Sequence, residues 1–422
     1  MKKVIHILFI NSSLLIFNCF AQQPGWDTLS VGVWGELNSI HFIDQYDLYM
    51  CGDLLLNFKS TDNGSTWQIN SFSSPVTLND IFVIDQYTVV AVGEGGTVMR
   101  TTDGGNTWNM FNSGVTDNLL SISFVDSFGI CGALSQTILY SNDAGVTWNI
   151  AQSGFFGGGF WGAHMLSPQI GFIAGENSIF QPLLGITTDA GVNWNFIPFY
   201  LNNNEGRATG VDFTDINTGY VSASVWNGTG AIAKTTNSGN SWSSTLFPNP
   251  LWGIDFPISG ASQVGYAVGS EGTILKTYNA GADWQQQISG TTLKLNKVHF
   301  LDLDFGFAVG ENGIILRTTS GGEPVTKIDK FTLSVKDFRL EQNYPNPFNP
   351  STFIKYRIPE LSFVTLKVYD ILGNEVATLV NKELSAGEYE IEFNAADLTS
   401  SVYIYQIKAG NFIVTKKMIL LK

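Results

Sequence analysis

From residue 37 to residue 322 the chain alternates between two textures. Short runs of β-branched, aromatic and small apolar residues are separated by clusters of Gly, Asp, Asn and Ser. The stretch from Leu78 to Trp108 shows the unit. Ile81-Phe82-Val83 predicts a short strand (A). Thr88 to Val92 predicts a second (B), closed by the tight turn Gly93-Glu94-Gly95-Gly96, and Thr97 to Arg100 a third (C). The phrase TTDGGNTW at 101–108 then reverses the chain, and Trp108 opens an outer strand (D). β-Branched and aromatic residues suit a pleated, half-buried surface, whereas Gly, Asp and Asn supply turn conformations.

The phrase returns as STDNGSTW at 60–67, SNDAGVTW at 141–148, TTDAGVNW at 187–194, TTNSGNSW at 235–242 and TYNAGADW at 277–284. Its tryptophans, Trp67, Trp108, Trp148, Trp194, Trp242 and Trp284, recur every 40–48 residues. That is the period of a four-stranded propeller blade. Asp62, Asp103, Asp143 and Asp189 are expected to accept hydrogen bonds from turn amides. Asn237, Asn279 and Ser320 fill the same slot, a drift that suits a structural role and not a catalytic carboxylate. The glycine two places on is expected to take a positive φ, and the tryptophan to wedge into the seam between blades.

Seven A–B–C sets begin near Ser39, Asp80, Ser121, Gly162, Val211, Gly253 and Lys297. The seventh reaches Gly322 with no D strand, while Trp26 to Ser30 resembles Trp108 to Asn112. The fold class expected is therefore all-β: a seven-bladed β-propeller over 22–322 whose first strand completes its last blade and hides the sheet edges. After a linker at 323–337 the pattern changes. NYPNPFNPST at 343–352 is followed by strand-like segments at 353–358, 363–370, 375–380, 388–393, 402–408 and 412–421. Val364 to Asp370 alternates as a half-buried strand should. Residues 338–422 are read as a small Ig-like β-sandwich.

Residues 26–322 resemble the Asp-box propellers, most closely the photosystem II assembly and stability factor family, on the TTDGGNTW series and the recurrent Ala-Val-Gly of Tyr266 to Gly269. The tail resembles the type A sorting domain of the type IX secretion system, on 343–352, VYDILGNEVATLVN at 368–381, Gly387 to Phe393 and the terminal Lys416 to Lys422. This second resemblance implies export by that machinery, through 338–422, and a tail that is removed. Met1-Lys2-Lys3, the apolar run Val4 to Phe20 and small residues at Cys19 and Ala21 read as a signal peptide at 1–21, cut before Gln22. No other apolar run is long enough for a membrane span.

Charge narrows the partners. Residues 22–322 carry 24 acidic against 8 basic residues, a poor surface for nucleic acid or anionic lipid. Cys51 and Cys131, each before a glycine, read as buried apolar residues and not as a disulfide. Arg100, Arg317, Lys59, Lys234 and Lys276 share one repeat slot and read as structural, which leaves too few arginines for a sialidase. His41, His164 and His299 share a column of strand A with Asp212 and Asp255, but three or four converging ligands are needed for a metal; none is expected, nor any cofactor or catalytic residue. The binding face is expected where D–A connections and B–C turns meet around the channel. Asn38, Asn79, Leu120, Trp161, Thr209, Trp252 and Asn296 stand there, each two residues ahead of its A strand. Trp161, Trp252, Phe160, Tyr200 and Arg207, with Phe155 and Phe156 and the turn carboxylates Glu94, Glu176, Glu271 and Glu311, are the candidates for stacking a sugar or clasping a peptide. The expectation is a monomeric, secreted or cell-surface binding propeller for an extracellular protein or polysaccharide. The alternatives are a secreted glycoside hydrolase or lyase, which would need a close carboxylate pair, and an assembly-factor-like protein.

Overall fold

The computed structural model describes residues 23–29, 32, 35–53, 57–70, 76–135, 137–151, 158–257, 263–325, 339–358, 362–371, 373–384, 387–409 and 412–422. The expected signal peptide, most of the linker, and Phe155 and Phe156 lie outside them. The chain divides into two units, Met1–Val325 and Thr326–Lys422.

Among the described residues the first unit contains seven four-stranded antiparallel sheets. Blade 1 is Leu37–Phe42, Leu48–Gly52, Asn57–Ser60 and Gln68–Asn70, and blade 2 is Leu78–Val83, Val89–Gly93, Thr97–Thr101 and Asn109–Asn112. Blade 3 is Leu119–Val125, Phe128–Ala133, Ile138–Ser141 and Asn149–Ile150. Blade 4 is Phe160–Met165, Gly171–Glu176, Pro182–Thr187 and Asn195–Pro198. Blade 5 is Gly206–Phe213, Gly219–Val225, Gly230–Thr235 and Ser243–Phe247. Blade 6 is Leu251–Asp255, Gly265–Gly269, Ile274–Thr277 and Gln285–Gln287. Blade 7 is Leu295–Phe300, Gly306–Gly310 and Ile315–Val325, with Gln23–Leu29 as its outer strand. Thr28 pairs with Leu316 and Leu29 with Ile315, and the partner strand runs to Val325, beyond the boundary expected at 322. The A strand of each blade packs on that of the next, and blade 7 on blade 1.

The seams hold the core. Leu37, Phe42, Phe58, Phe307 and Val309 fill that between blades 1 and 7. Trp26, Tyr266, Val298 and Phe300 fill that between blades 6 and 7. Aromatic pairs stack flat across seams, Phe172 on Phe213 at 3.5 Å and Tyr266 on Phe300 at 3.6 Å. Cys51 and Cys131 are free and buried, and burial pushes both thiols well up.

Each recurrent phrase folds the same way. Asp103 Oδ1 accepts the Thr107 N–H at 2.9 Å and Oδ2 the Thr107 hydroxyl at 2.6 Å. These bonds draw the Asp103 carboxyl down to about 2. Thr101 Oγ1 accepts the Gly105 N–H at 3.0 Å. Asp62, Asp143, Asp189, Asn237 and Asn279 repeat the pattern. The indoles of Trp67, Trp148, Trp194 and Trp242 donate to the carbonyls of Gly64, Gly145, Gly191 and Gly239, which fastens each tryptophan to its own turn.

The shared cationic slot is a fastening between blades. Lys59 Nζ reaches Gly104 O at 2.7 Å, Arg100 Nε reaches Ala144 O at 2.8 Å, Lys234 Nζ reaches Ala280 O at 2.6 Å and Lys276 Nζ reaches Gly321 O at 2.9 Å. Arg317 Nη1 donates to Asn63 O at 3.0 Å and carries the contact from blade 7 to blade 1.

In the second unit Arg339–Leu340, Ser351–Ile358 and Gly387–Asn394 form one sheet. Glu375–Leu384, Ser362–Tyr369, Ser401–Ala409 and Phe412–Leu420 form the other. Ile354, Tyr356, Leu366, Val368, Tyr405 and Met418 share its core. The Asn- and Pro-rich motif lies along the last strand: Phe348 N donates to Ile419 O and Leu421 N to Phe348 O, both at 3.0 Å.

Candidate binding site at the mouth of the ring

In every blade the pairing of strands A and B slips at one place. The shifts fall between Leu37 and Ser39, Leu78 and Asp80, Leu119 and Ser121, Phe160 and Gly162, Ala208 and Gly210, Leu251 and Gly253, and Leu295 and Lys297. A bulge leaves one residue unpaired and re-aims its side chain. The skipped residues are Asn38, Asn79, Leu120, Trp161, Thr209, Trp252 and Asn296. All of them line a single cavity of about 100 Å³ at this end of the channel.

Most of these residues tie one blade to the next. Asn38, Asn79 and Asn296 donate through Nδ2 to Leu78 O, Leu119 O and Leu37 O, and Thr209 Oγ1 to Leu251 O. The two tryptophans do not. Trp161 Nε1 donates to Glu176 Oε2 at 3.1 Å, and Trp252 Nε1 to Ser270 Oγ at 3.0 Å. Each indole is held within its own blade, at a position the others use as seam.

A second layer stands on Trp161. Arg207 Nε pairs with Glu176 Oε2 at 3.0 Å, and its guanidinium lies 4.1 Å from the Trp161 ring centroid and 5.5 Å from that of Trp226. Burial raises the Glu176 carboxyl, opposed by Arg207 and by the Trp161 donor. Trp226 meets Phe180 edge-on at 5.3 Å. Beside Trp252, Lys294 Nζ lies 5.7 Å from the ring and pairs with Glu36.

The candidate residues thus divide. Trp161, Glu176 and Arg207 form one cluster across blades 4 and 5, and Trp252 stands separately in blade 6. Tyr200 is exposed on the connection into blade 5. Glu94, Glu271 and Glu311 are exposed on the B–C turns of blades 2, 6 and 7, apart from that cluster. Phe160 is corrected: it is 1% exposed, stacks on Phe196 and belongs to the core between blades 3 and 4, because it precedes the bulge and faces away from the mouth. Phe180 and Trp226, on B–C turns, were not anticipated. Asn227-Gly228 after Trp226 is a turn signal that would have put that indole on this face.

Further down the channel the His and Asp column does different work. His41 Nδ1 accepts the Val83 N–H at 3.2 Å, Asp212 Oδ2 accepts Phe256 N–H at 2.7 Å and Asp255 Oδ2 accepts Phe300 N–H at 2.9 Å. Each bond crosses to the next blade. Burial holds His164 at about 4 and His41 well below its ordinary value, and it raises the Asp212 carboxyl, with Asp255 adding to that. Among the described residues no three His, Cys, Asp or Glu converge as a metal site, and no helix is long and apolar enough to cross a membrane.

Comparison with known proteins fits both units. Residues 342–421 match the model of the secretion system C-terminal sorting domain. No curated protein matches the chain. The structure is similar to YCF48 bound to D1 peptide, with a TM-score of 0.58, 17% identity, and 72% of this chain and 97% of that one covered. It is also similar to YCF48 from Cyanidioschyzon merolae, with a TM-score of 0.56, 15% identity and coverage of 69% and 98%. A third similar structure is the WD40 β-propeller domain of Doa1, with a TM-score of 0.55, 12% identity and coverage of 70% and 96%. At such identities the likeness is one of fold. The chain is a β-propeller that carries a type IX secretion sorting domain at its C-terminal end, the mark of a protein sent to the cell surface or beyond it.

Proposed function

We propose that this chain is an exported, non-enzymatic binding propeller that takes a protein or polysaccharide ligand at the mouth of its ring. Residues 1–21 carry it to the periplasm, and the machinery that reads 338–422 carries it across the outer membrane as a monomer. The observation that supports the ligand site is the bulge register. One residue from each of seven blades is turned into one cavity, and two of those residues are indoles fixed by Glu176 and Ser270. A pre-set aromatic held by a hydrogen bond loses little freedom when a ligand covers it. The peptide in the YCF48 structure supports a polypeptide as one ligand class for this fold.

The test is a glycan and polysaccharide array, with cell-surface crosslinking in parallel, for the full chain and for Trp161→Ala/Trp252→Ala. Binding that disappears in a folded variant is expected. Binding that survives, or none on either platform, moves the ligand site off this mouth.

A further inference from the structure

We propose that Trp226 and Phe180, with Arg207 and Glu176 beside them, form a subsite for a neutral polysaccharide; this rests on the binding-propeller reading and names its ligand. The two rings, on the B–C turns of adjacent blades, are 50% and 54% exposed; Ile179, beside Phe180 in the chain, is 65% exposed, and Tyr200, next to Phe199 whose N–H donates to Pro182 O, is 58% exposed. Large apolar groups gathered on one face mark a surface that something covers. Phe180 has φ +62°, a backbone region that a bulky side chain rarely takes. Asn177 holds it there, with Oδ1 accepting the N–H groups of Ile179 at 3.1 Å and Gln181 at 2.9 Å.

The chemistry beside the rings selects the ligand. Arg207 uses Nε and Glu176 uses Oε2 for their mutual bond, and Trp161 shares Oε2. Among the described residues the two Nη groups of Arg207 and Oε1 of Glu176 have no further hydrogen bond. They offer donors beside an acceptor, the pair that neighbouring sugar hydroxyls need, since each hydroxyl gives one bond and takes others. A pyranose ring has an apolar C–H face to lay on Trp226 or Phe180 and hydroxyl edges to meet the fork. Charge decides against the rivals. Arg207 is matched by Glu176, so the subsite calls for no net charge. Arg207 opposes a cationic peptide at this spot, whereas exposed Glu205 and a propeller with 24 acidic against 8 basic residues repel a polyanion.

The experiment is affinity gel electrophoresis of the full chain. The gels contain soluble neutral polysaccharides (a β-1,3-glucan, hydroxyethyl cellulose, galactomannan) or acidic ones (alginate, polygalacturonate). The chain should be retarded by at least one neutral polymer and by neither acidic one. Trp226→Ala and Phe180→Ala should each weaken retardation about tenfold with an unchanged unfolding midpoint, and Trp226→Tyr should restore much of it. Retardation by acidic polymers alone, or undiminished in Trp226→Ala, overturns the proposal. So does no retardation at all. If a crosslinked surface protein is then lost in Trp161→Ala/Trp252→Ala, only the sugar class has failed; if no ligand is found by either route, the binding reading has failed with it.

Discussion

Gly239 and Gly228 take nearly the same left-handed backbone, at φ +80° and +87°, in different surroundings. A Cβ on Gly239 would sit 2.6 Å from Leu184 of the preceding blade, whereas one on Gly228 would meet nothing within 4 Å. Gly228→Ala should therefore cost only the conformational penalty, about 1–2 kcal/mol. Gly239→Ala should cost about 1–3 kcal/mol more, because a packed seam must move. Urea unfolding of the two variants checks this, and equal losses would mean that the seam yields freely. The same turns show what single residues announce. Their Asp and Gly follow from turn chemistry. The positive φ of Ala144, Ala190 and Ala280, just before the glycine, does not, since nothing about alanine asks for it. It becomes intelligible only with Arg100 donating to Ala144 O and Lys234 to Ala280 O from the blade before.

Strand A is the element that decides both ends of the channel. Period counting placed seven residues ahead of the A strands, and the structure brings all seven to one cavity. It could not place the bulge, which depends on pairing with strand B, and the bulge is why Trp161 faces the mouth while Phe160, next to it, is buried. Phe180 and Trp226 escaped for a related reason: they project from turns whose neighbours lie in another blade. Lower on the same strands, His164 is held at about 4 against an ordinary 6.5. Its neutral form is the folded one, so its contribution is complete above pH 6.5 and is lost as the pH falls through about 4. The shift corresponds to about 3 kcal/mol. Asp212, whose Oδ1 lies 3.5 Å from His164 Nδ1 and whose carboxyl is raised by burial, has the opposite sign and works against the loss on acidification; Asp255, His299 and Lys297 face the same space. Between pH 7 and pH 4.5 the urea midpoint of the wild type should fall further than that of His164→Gln. Parallel curves would remove His164 from the acid response.

At the scale of the molecule, the repeat period and the unpaired first strand made the closed ring legible, and two short motifs did the same for the tail. The proposed ligand site was legible only in part, at Trp161 and Arg207, because it rests on departures from the repeat, and Trp226 needed the fold to be seen beside them. The two units predict separable failures. A chain ending at Val325 should keep a cooperative thermal transition, because no described strand of the ring lies beyond that residue, yet it should accumulate in the periplasm. Fractionation and circular dichroism together check this, and export of the shortened chain would deny the tail its role.

The outer strand of blade 7 has a consequence for cargo that sheds its address label. The first described strand has its partners at the far end of the ring, Leu29 on Ile315 and Gln23 on Val325, so it cannot pair until that end is present. Once joined, the two ends of the ring lock each other. If the tail is cut away after Val325, as the resemblance of the tail implies, every described strand of the lock stays behind, so loss of the tail and integrity of the ring are independent events.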